Sequence, residues 1–233
     1  MRRLGRADLV AALCLVVGAA LLASCGPSAG ERAQEHVKKG AALVTEGKYD
    51  AAVAELQKAV ELNRDSIEGY TQLGNAYRGL KQYDKAIEAY RAAKKIDRYV
   101  TRPHIENAKA LVEMGQIEPA IDELNHVIEL DSKSLEAMLL LGRVSMMPRP
   151  LPEGGTGVPK ASLERAELNL ETAVQMAPDN LHAHHELALV REKLDKRDRA
   201  KEAWGKVRDL AAGKPEVAKT AAEAASALER LKR

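Results

Sequence analysis

Apolar residues recur along this chain at steps of three and four. Ala51, Ala52, Leu56, Ala59 and Val60 form one such run, and Ala86, Ile87, Tyr90 and Ala93 another, each with a polar opposite face. That spacing predicts amphipathic helices. Gly47, Gly79 and Gly115 fall between runs, where a permissive backbone closes a tight turn. No stretch alternates convincingly between apolar and polar residues, so no sheet is expected. The pattern also repeats as a whole, because segments 33–66, 67–100 and 101–134 align without gaps at a 34-residue period. A lone hairpin cannot bury its apolar face, whereas several stacked in line share a continuous core.

The middle segment is the clearest. Leu73-Gly74-Asn75-Ala76-Tyr77 is followed by Tyr83, Ala86, Tyr90 and Ala93. The same slots hold Gly40, Leu43, Gly47, Tyr49, Ala52, Leu56 and Ala59 before it, and Ala108, Leu111, Gly115, Ile117, Ala120, Leu124 and Val127 after it. A fourth unit, 135–180, opens with Leu141-Gly142 and resumes with Ala166, Leu170, Ala173 and Pro178; a fifth, 181–214, carries Leu187, Ala188, Ala200, Trp204 and Val207. This pattern resembles the tetratricopeptide repeat. The resemblance implies an all-α, right-handed α-solenoid of helical hairpins. The family's repeat-ending proline survives only as Pro178.

Two segments depart from the repeat. Twelve extra residues near 147–158, rich in proline and glycine, interrupt the fourth unit and predict an exposed loop, either a binding element or a tolerated insertion. Residues 215–233 predict a capping helix opened by Pro215, with Val217, Ala221, Ala225 and Leu228 as its apolar stripe.

Ahead of the repeats, Arg2, Arg3 and Arg6 precede an uncharged run of 14 residues, Leu9 to Leu22. That run is too short to span a bilayer and has the form of a signal peptide over residues 1–24. Leu22, Ala23, Ser24 and Cys25 close it and resemble the bacterial lipobox. The resemblance implies removal of residues 1–24, a covalent lipid on Cys25 and delivery to the outer membrane's periplasmic face, since residue 26 is Gly rather than Asp. The alternative is an ordinary cleaved signal with a cysteine by chance. Gly26 to Gly30 then tether the lipid to a first helix near Glu31, a reach of at most about 18 Å.

Composition narrows the function. Cys14 and Cys25 are the two cysteines, so a lipidated mature chain has no thiol for catalysis or zinc. Losing residues 1–24 leaves 33 Lys+Arg against 33 Asp+Glu, a balance that does not point to nucleic acid. No nucleophile elbow, phosphate loop, dinucleotide fingerprint or His-Glu-x-x-His motif occurs, and the expectation is a non-enzyme with no cofactor or metal.

In the family, first helices line a concave groove chiefly through their second, fifth, ninth, twelfth and thirteenth positions, of which the first four are followed here. Here those are Glu68, Thr71, Asn75 and Arg78; Arg102, Ile105, Lys109 and Val112; Glu136, Leu139, Arg143 and Met146; and His182, His185, Leu189 and Glu192. Such a mixed lining suits a peptide or helix of a partner protein held by a few anchors. The carboxylate clamp known in the family is absent, because Val37, Ala41 and Ile105 stand where it needs lysine or asparagine. Anchor plus repeats resembles outer-membrane pilotins and lipoproteins that scaffold peptidoglycan hydrolases. The reading is therefore an envelope scaffold, with pilus, secretion or wall assembly as settings. Its rival is an enzyme subunit or a ligand- or metal-binding lipoprotein using the groove or the His182/His185 pair.

Overall fold

A computed structural model describes residues 27–151 and 154–232. The signal-like segment, its cleavage motif and Cys25 lie outside the described residues. Among those described, no helix is long and apolar enough to cross a membrane.

The architecture is an all-α solenoid. Its helices are α1 (Ala29–Thr45), α2 (Tyr49–Leu62), α3 (Ile67–Gly79), α4 (Tyr83–Ile96), α5 (Thr101–Glu113), α6 (Ile117–Leu130), α7 (Leu135–Ser145), α8 (Lys160–Met176), α9 (Leu181–Lys193), α10 (Arg197–Ala211) and α11 (Ala218–Leu231). Odd and even helices pair into hairpins from α1/α2 to α9/α10, each packed on the next, and α11 lies on α10.

Three local devices set this geometry. Within hairpins, the turn residue at the fifteenth repeat position is left-handed: Gly47, Lys81, Gly115 and Asp195 have φ of 73°, 58°, 75° and 54°. Gly79 is therefore not the turn residue that its type suggested. It ends α3, and a β-carbon there would lie 2.4 Å from the ring of Tyr49. Between hairpins, Asn63, Asp97 and Asp131 recur at the 34-residue period, and each side chain accepts the backbone N–H two residues on. These Asx turns stand where the family usually places proline. The third device is packing at the eighth position of each first helix. Gly40, Gly74 and Gly142 leave room for Leu56, Tyr90 and Leu170 of the second helix, while Ala108 and Ala188 lie in the same buried clusters as Leu124 and Trp204.

Both ends and the insertion differ from expectation. Ser28 caps α1 and pairs reciprocally with Glu31, so the helix starts at Ala29 and leaves a shorter tether than five residues. At the other end, Pro215–Val217 form a single 3-10 turn before α11. Ala224 and Ala227 are buried against the stack and Ala225 is exposed, so the cap's apolar face is rotated from the stripe read in the sequence. The insertion holds a minimal antiparallel ladder, β1 (Arg149–Pro150) with β2 (Thr156–Gly157), where no strand was expected. Nor is it wholly exposed. Arg149, 3% exposed, pairs with Glu118 of α6, reaches Ser162 of α8, and donates to the carbonyls of Ser145 and Met147.

Candidate functional site: the inner face of the first helices

The sixteen expected groove residues all fall on α3, α5 and α9 or on α7 and its C-cap, Met146. The structure does not offer them equally. Thr71 is buried, and its hydroxyl donates to the Ile67 carbonyl at 2.7 Å. Ile105 is buried in the core of the third hairpin. Asn75 is nearly buried; its Oδ1 accepts the Tyr90 hydroxyl at 2.8 Å and its Nδ2 donates to Gln72. Thr71 and Ile105 are thereby committed to the fold, whereas Asn75, although bonded inside, also stands on the wall of the cleft formed by Arg78, Glu106 and Lys109. Glu68 is exposed beside Gln72, and Val112 is half-buried.

Charged residues of the inner face pair from one hairpin to the next. Arg78 of α3 donates to Glu113 at 2.8 Å and to Glu106 at 3.3 Å, both on α5. Lys109 of α5 pairs with Glu136 of α7 at 2.8 Å, and Arg143 of α7 approaches Glu186 of α9 at 3.4 Å. The ladder continues into the cap: Arg230 of α11 holds Glu192 at 3.1 Å, and Glu223 accepts from His185 at 3.1 Å. His185 also packs edge-on against Trp204. His185 and Glu192 are thus engaged by the terminal helix, which adds its own inner face to the stack.

The centre of the ladder is Glu106, 5% exposed at its side chain and contacted by Arg78, Arg102 and Lys109. Sequence reasoning missed it, since the sixth position is not among the family's usual lining positions. A cleft of about 440 Å³ opens over these residues, with Lys81, Tyr49 and Tyr83 also on its walls. Arg78, Lys81, Arg102 and Lys109 line this cleft against the carboxylates of Glu106 and Glu113, so its lining carries more positive than negative side chains. Burial disfavours the Arg78 charge, but the Glu113 and Glu106 carboxylates outweigh it and raise its pKa beyond the ordinary value.

Further along, the lining turns apolar. Leu139, Met146 and Leu189 are partly buried against the cluster that contains Trp204. Glu186, on α9 with Leu189, is 8% exposed at its side chain, with Arg143, itself 60% exposed, as its one ion-pair partner among the described residues. Its Oε2 is buried without a hydrogen-bond partner. His182 is exposed, and His184 bonds the Pro178 carbonyl through Nε2 at 2.8 Å. The histidine triplet is therefore spread over three environments, and no cluster of three or more potential metal-ligating side chains occurs among the described residues.

A second set of polar residues escaped the sequence reading. His36 Nδ1 lies 2.8 Å from Glu55, and His104 Nδ1 lies 2.6 Å from Glu123, each pair bridging the helices of one hairpin at a separation of 19 residues. That repeated separation was the available signal. Burial pushes the Glu123 carboxyl up, but bonds and charges from His104 and Lys94 outweigh it and hold it at about 2. Hydrogen bonds from His36 and Lys58 hold Glu55 at about 2 as well.

A stack of paired helices with an inner ladder of charges defines the class as a helical-repeat solenoid. Tetratricopeptide repeats are found within it: residues 40–81 match the family described as TPR repeat, and residues 67–99 match Tetratricopeptide repeat. Compared by sequence with curated proteins, the chain has no match. Several solved structures share the fold. MamA from Desulfovibrio magneticus RS-1 superposes with a TM-score of 0.65 at 19% identity, covering 81% of this chain and 99% of that one. The pilF protein of Pseudomonas aeruginosa gives 0.64 at 19%, covering 87% and 93%. YrrB, described as a TPR protein with an unusual peptide-binding site, gives 0.61 at 19%, covering 82% and 90%.

Proposed function

We propose that this chain is a non-enzymatic binding scaffold of the bacterial cell envelope, anchored by lipid on Cys25 and holding a segment of a partner protein along its inner face. The observation that carries the reading is the inner face itself. It joins a positively lined cleft over Glu106 to an apolar strip at Leu139, Met146 and Leu189 along one stack of hairpins. Charged and apolar subsites in series suit an extended or helical segment with a few anchors. The peptide-binding site named for YrrB lies on a similar fold and agrees with this use. The anchor rests on Leu22-Ala23-Ser24-Cys25 and on the short run from Cys25 to Ser28, which would hold the first hairpin against the membrane. Pilus, secretion or wall-assembly machinery is the setting we infer.

The test is crosslinking in cells with mass spectrometry of co-purified proteins. The full chain is compared with an unrelated lipoprotein and with an Arg102→Glu/Arg143→Glu variant, both positions being exposed and charged. Partners that enrich with the wild type and drop at least fivefold with the variant support the reading. No enrichment, or enrichment indifferent to the variant, overturns it. Metabolic labelling with an alkynyl fatty acid, lost on Cys25→Ser, tests the anchor separately.

A further inference from the structure

Glu106 and Glu186 occupy the same place, the sixth position of their repeats, two periods and the twelve-residue insertion apart. Both side chains are nearly buried, at 5% and 8% exposure. Their surroundings differ at three corresponding positions. Glu106 is contacted by Arg78 from the preceding first helix and by Arg102 and Lys109 from its own. The residues at the positions corresponding to Arg78, Arg102 and Lys109 in the repeats of Glu186 are Met146, His182 and Leu189. What remains is Arg143, whose Nε sits 3.4 Å from Oε1, while Oε2 is buried with no partner among the described residues.

An ionised carboxylate taken out of water is costly unless charge and hydrogen bonds replace its hydration. Glu106 meets that condition internally and Glu186 does not. We propose that Glu186 is the receptor for an arginine side chain of the bound partner segment. The guanidinium would stand where Arg78, Arg102 and Lys109 stand around Glu106. Its planar fork can engage both carboxylate oxygens at once, which a neutral donor cannot match. Its three-methylene stem would lie along Met146 and Leu189, the apolar residues that replace cations here. Arg143, mostly exposed and held by one long contact, can swing aside to admit it. The inference rests on the inner face being a partner-binding surface and names the chemistry of one anchor.

The test uses the full-length protein in mild detergent, labelled with carbon-13 at methionine and leucine methyls. The probes are acetyl-Leu-Arg-amide and acetyl-Leu-citrulline-amide, which differ in charge at nearly constant shape. Saturable shifts of the Met146 and Leu189 methyls, at least tenfold weaker in affinity for citrulline, are expected. Glu186→Gln should erase the preference, and Met146→Arg, which copies Arg78, should fill the site and abolish binding. Thermal unfolding gives an independent reading: Glu106→Gln should lower Tm, whereas Glu186→Gln should leave it unchanged or raise it. Equal binding of the two probes, shifts absent from these methyls, or equal Tm losses for the two glutamines each overturn the proposal. Should the arginine preference hold while no cellular partner depends on the inner face, the scaffold reading fails and the site stands. Partner capture without arginine preference does the opposite, keeping the scaffold and removing the arginine site.

Discussion

A β-carbon on Gly74 would lie 2.4 Å from Cε1 of Tyr90, so the tyrosine ring fills the volume the glycine leaves open. The ring is not free to retreat, because its hydroxyl is bonded to Asn75 at 2.8 Å in a buried setting. Gly74→Ala should therefore destabilise the protein by about 1–3 kcal/mol, the usual cost of overpacking a well-filled core. Gly142 faces Leu170, whose flexible branch lies 2.7 Å from the corresponding point, so Gly142→Ala should cost less. Urea denaturation of the two variants checks the order. A Gly74→Ala protein as stable as the wild type would show that the Tyr90 ring does not depend on this gap.

The left-handed turns give a prediction of opposite sign. Lys81 has φ 58°, a conformation that costs a side-chain-bearing residue about 1–2 kcal/mol, partly offset when glycine's greater chain entropy is considered. Lys81→Gly should stabilise the protein by about 0.5–1 kcal/mol. Gly115→Lys, at φ 75° with open space around its missing β-carbon, should destabilise by a similar amount through the backbone alone. Paired shifts of the urea midpoint in opposite directions are the expected result.

Glu123 links stability to acid. Its carboxyl is held at about 2 against an ordinary 4.5, a lowered value, so its contribution is complete above the ordinary pKa and is lost as pH falls through about 2. Glu123→Gln should be less stable than the wild type at neutral pH, and the two should converge as pH drops from about 4.5 toward 2. Glu55 follows the same sign with a smaller effect, because its partners Lys39 and Lys58 are more than half exposed. Denaturation midpoints measured across this range test the convergence; a gap that stays constant with pH would disconnect Glu123 from the acid response.

How much of this was visible in the chain depends on which forces set each feature. Helices and the hairpin stack follow from the three- and four-residue spacing of residues such as Leu56, Tyr90 and Leu124, all completely buried. Composition misled where one residue type can do two jobs. Gly79 reads as a turn residue yet serves to admit Tyr49, while the turn itself falls on Lys81. The inner face was legible as a set of positions but not as contacts. Thr71 and Asn75 turn inward because hydrogen bonds await them there, and Glu106 enters because three cations surround it. Thr71 with Ile67, and Arg102 and Lys109 with Glu106, are same-helix neighbours three or four residues apart. Tyr90 with Asn75 and Arg78 with Glu106 join different helices, which a periodic pattern on single helices does not encode. The Ser28/Glu31 capping box, by contrast, was local and could have been read directly.

Arg149 decides whether the insertion behaves as a tether or as a loose loop. It is 3% exposed and joins α6, the end of α7 and α8 through Glu118, the Ser145 and Met147 carbonyls and Ser162. Removing the guanidinium leaves the buried Ser145 carbonyl without this donor, a loss of about 1–3 kcal/mol for a group of this kind. It should also free the short ladder of Arg149–Pro150 with Thr156–Gly157, since two paired residues cannot hold a hairpin by themselves. Arg149→Met, which keeps the stem and discards the fork, should therefore lower Tm and speed proteolytic nicking between residues 150 and 158. Substitutions at the glycine tip, such as Gly154→Ser, raise backbone strain at φ 93° but leave the Arg149 contacts in place. They should loosen the tip without lowering Tm comparably. Nicking that is equally slow in Arg149→Met and the wild type would show that the insertion is held by something other than this arginine.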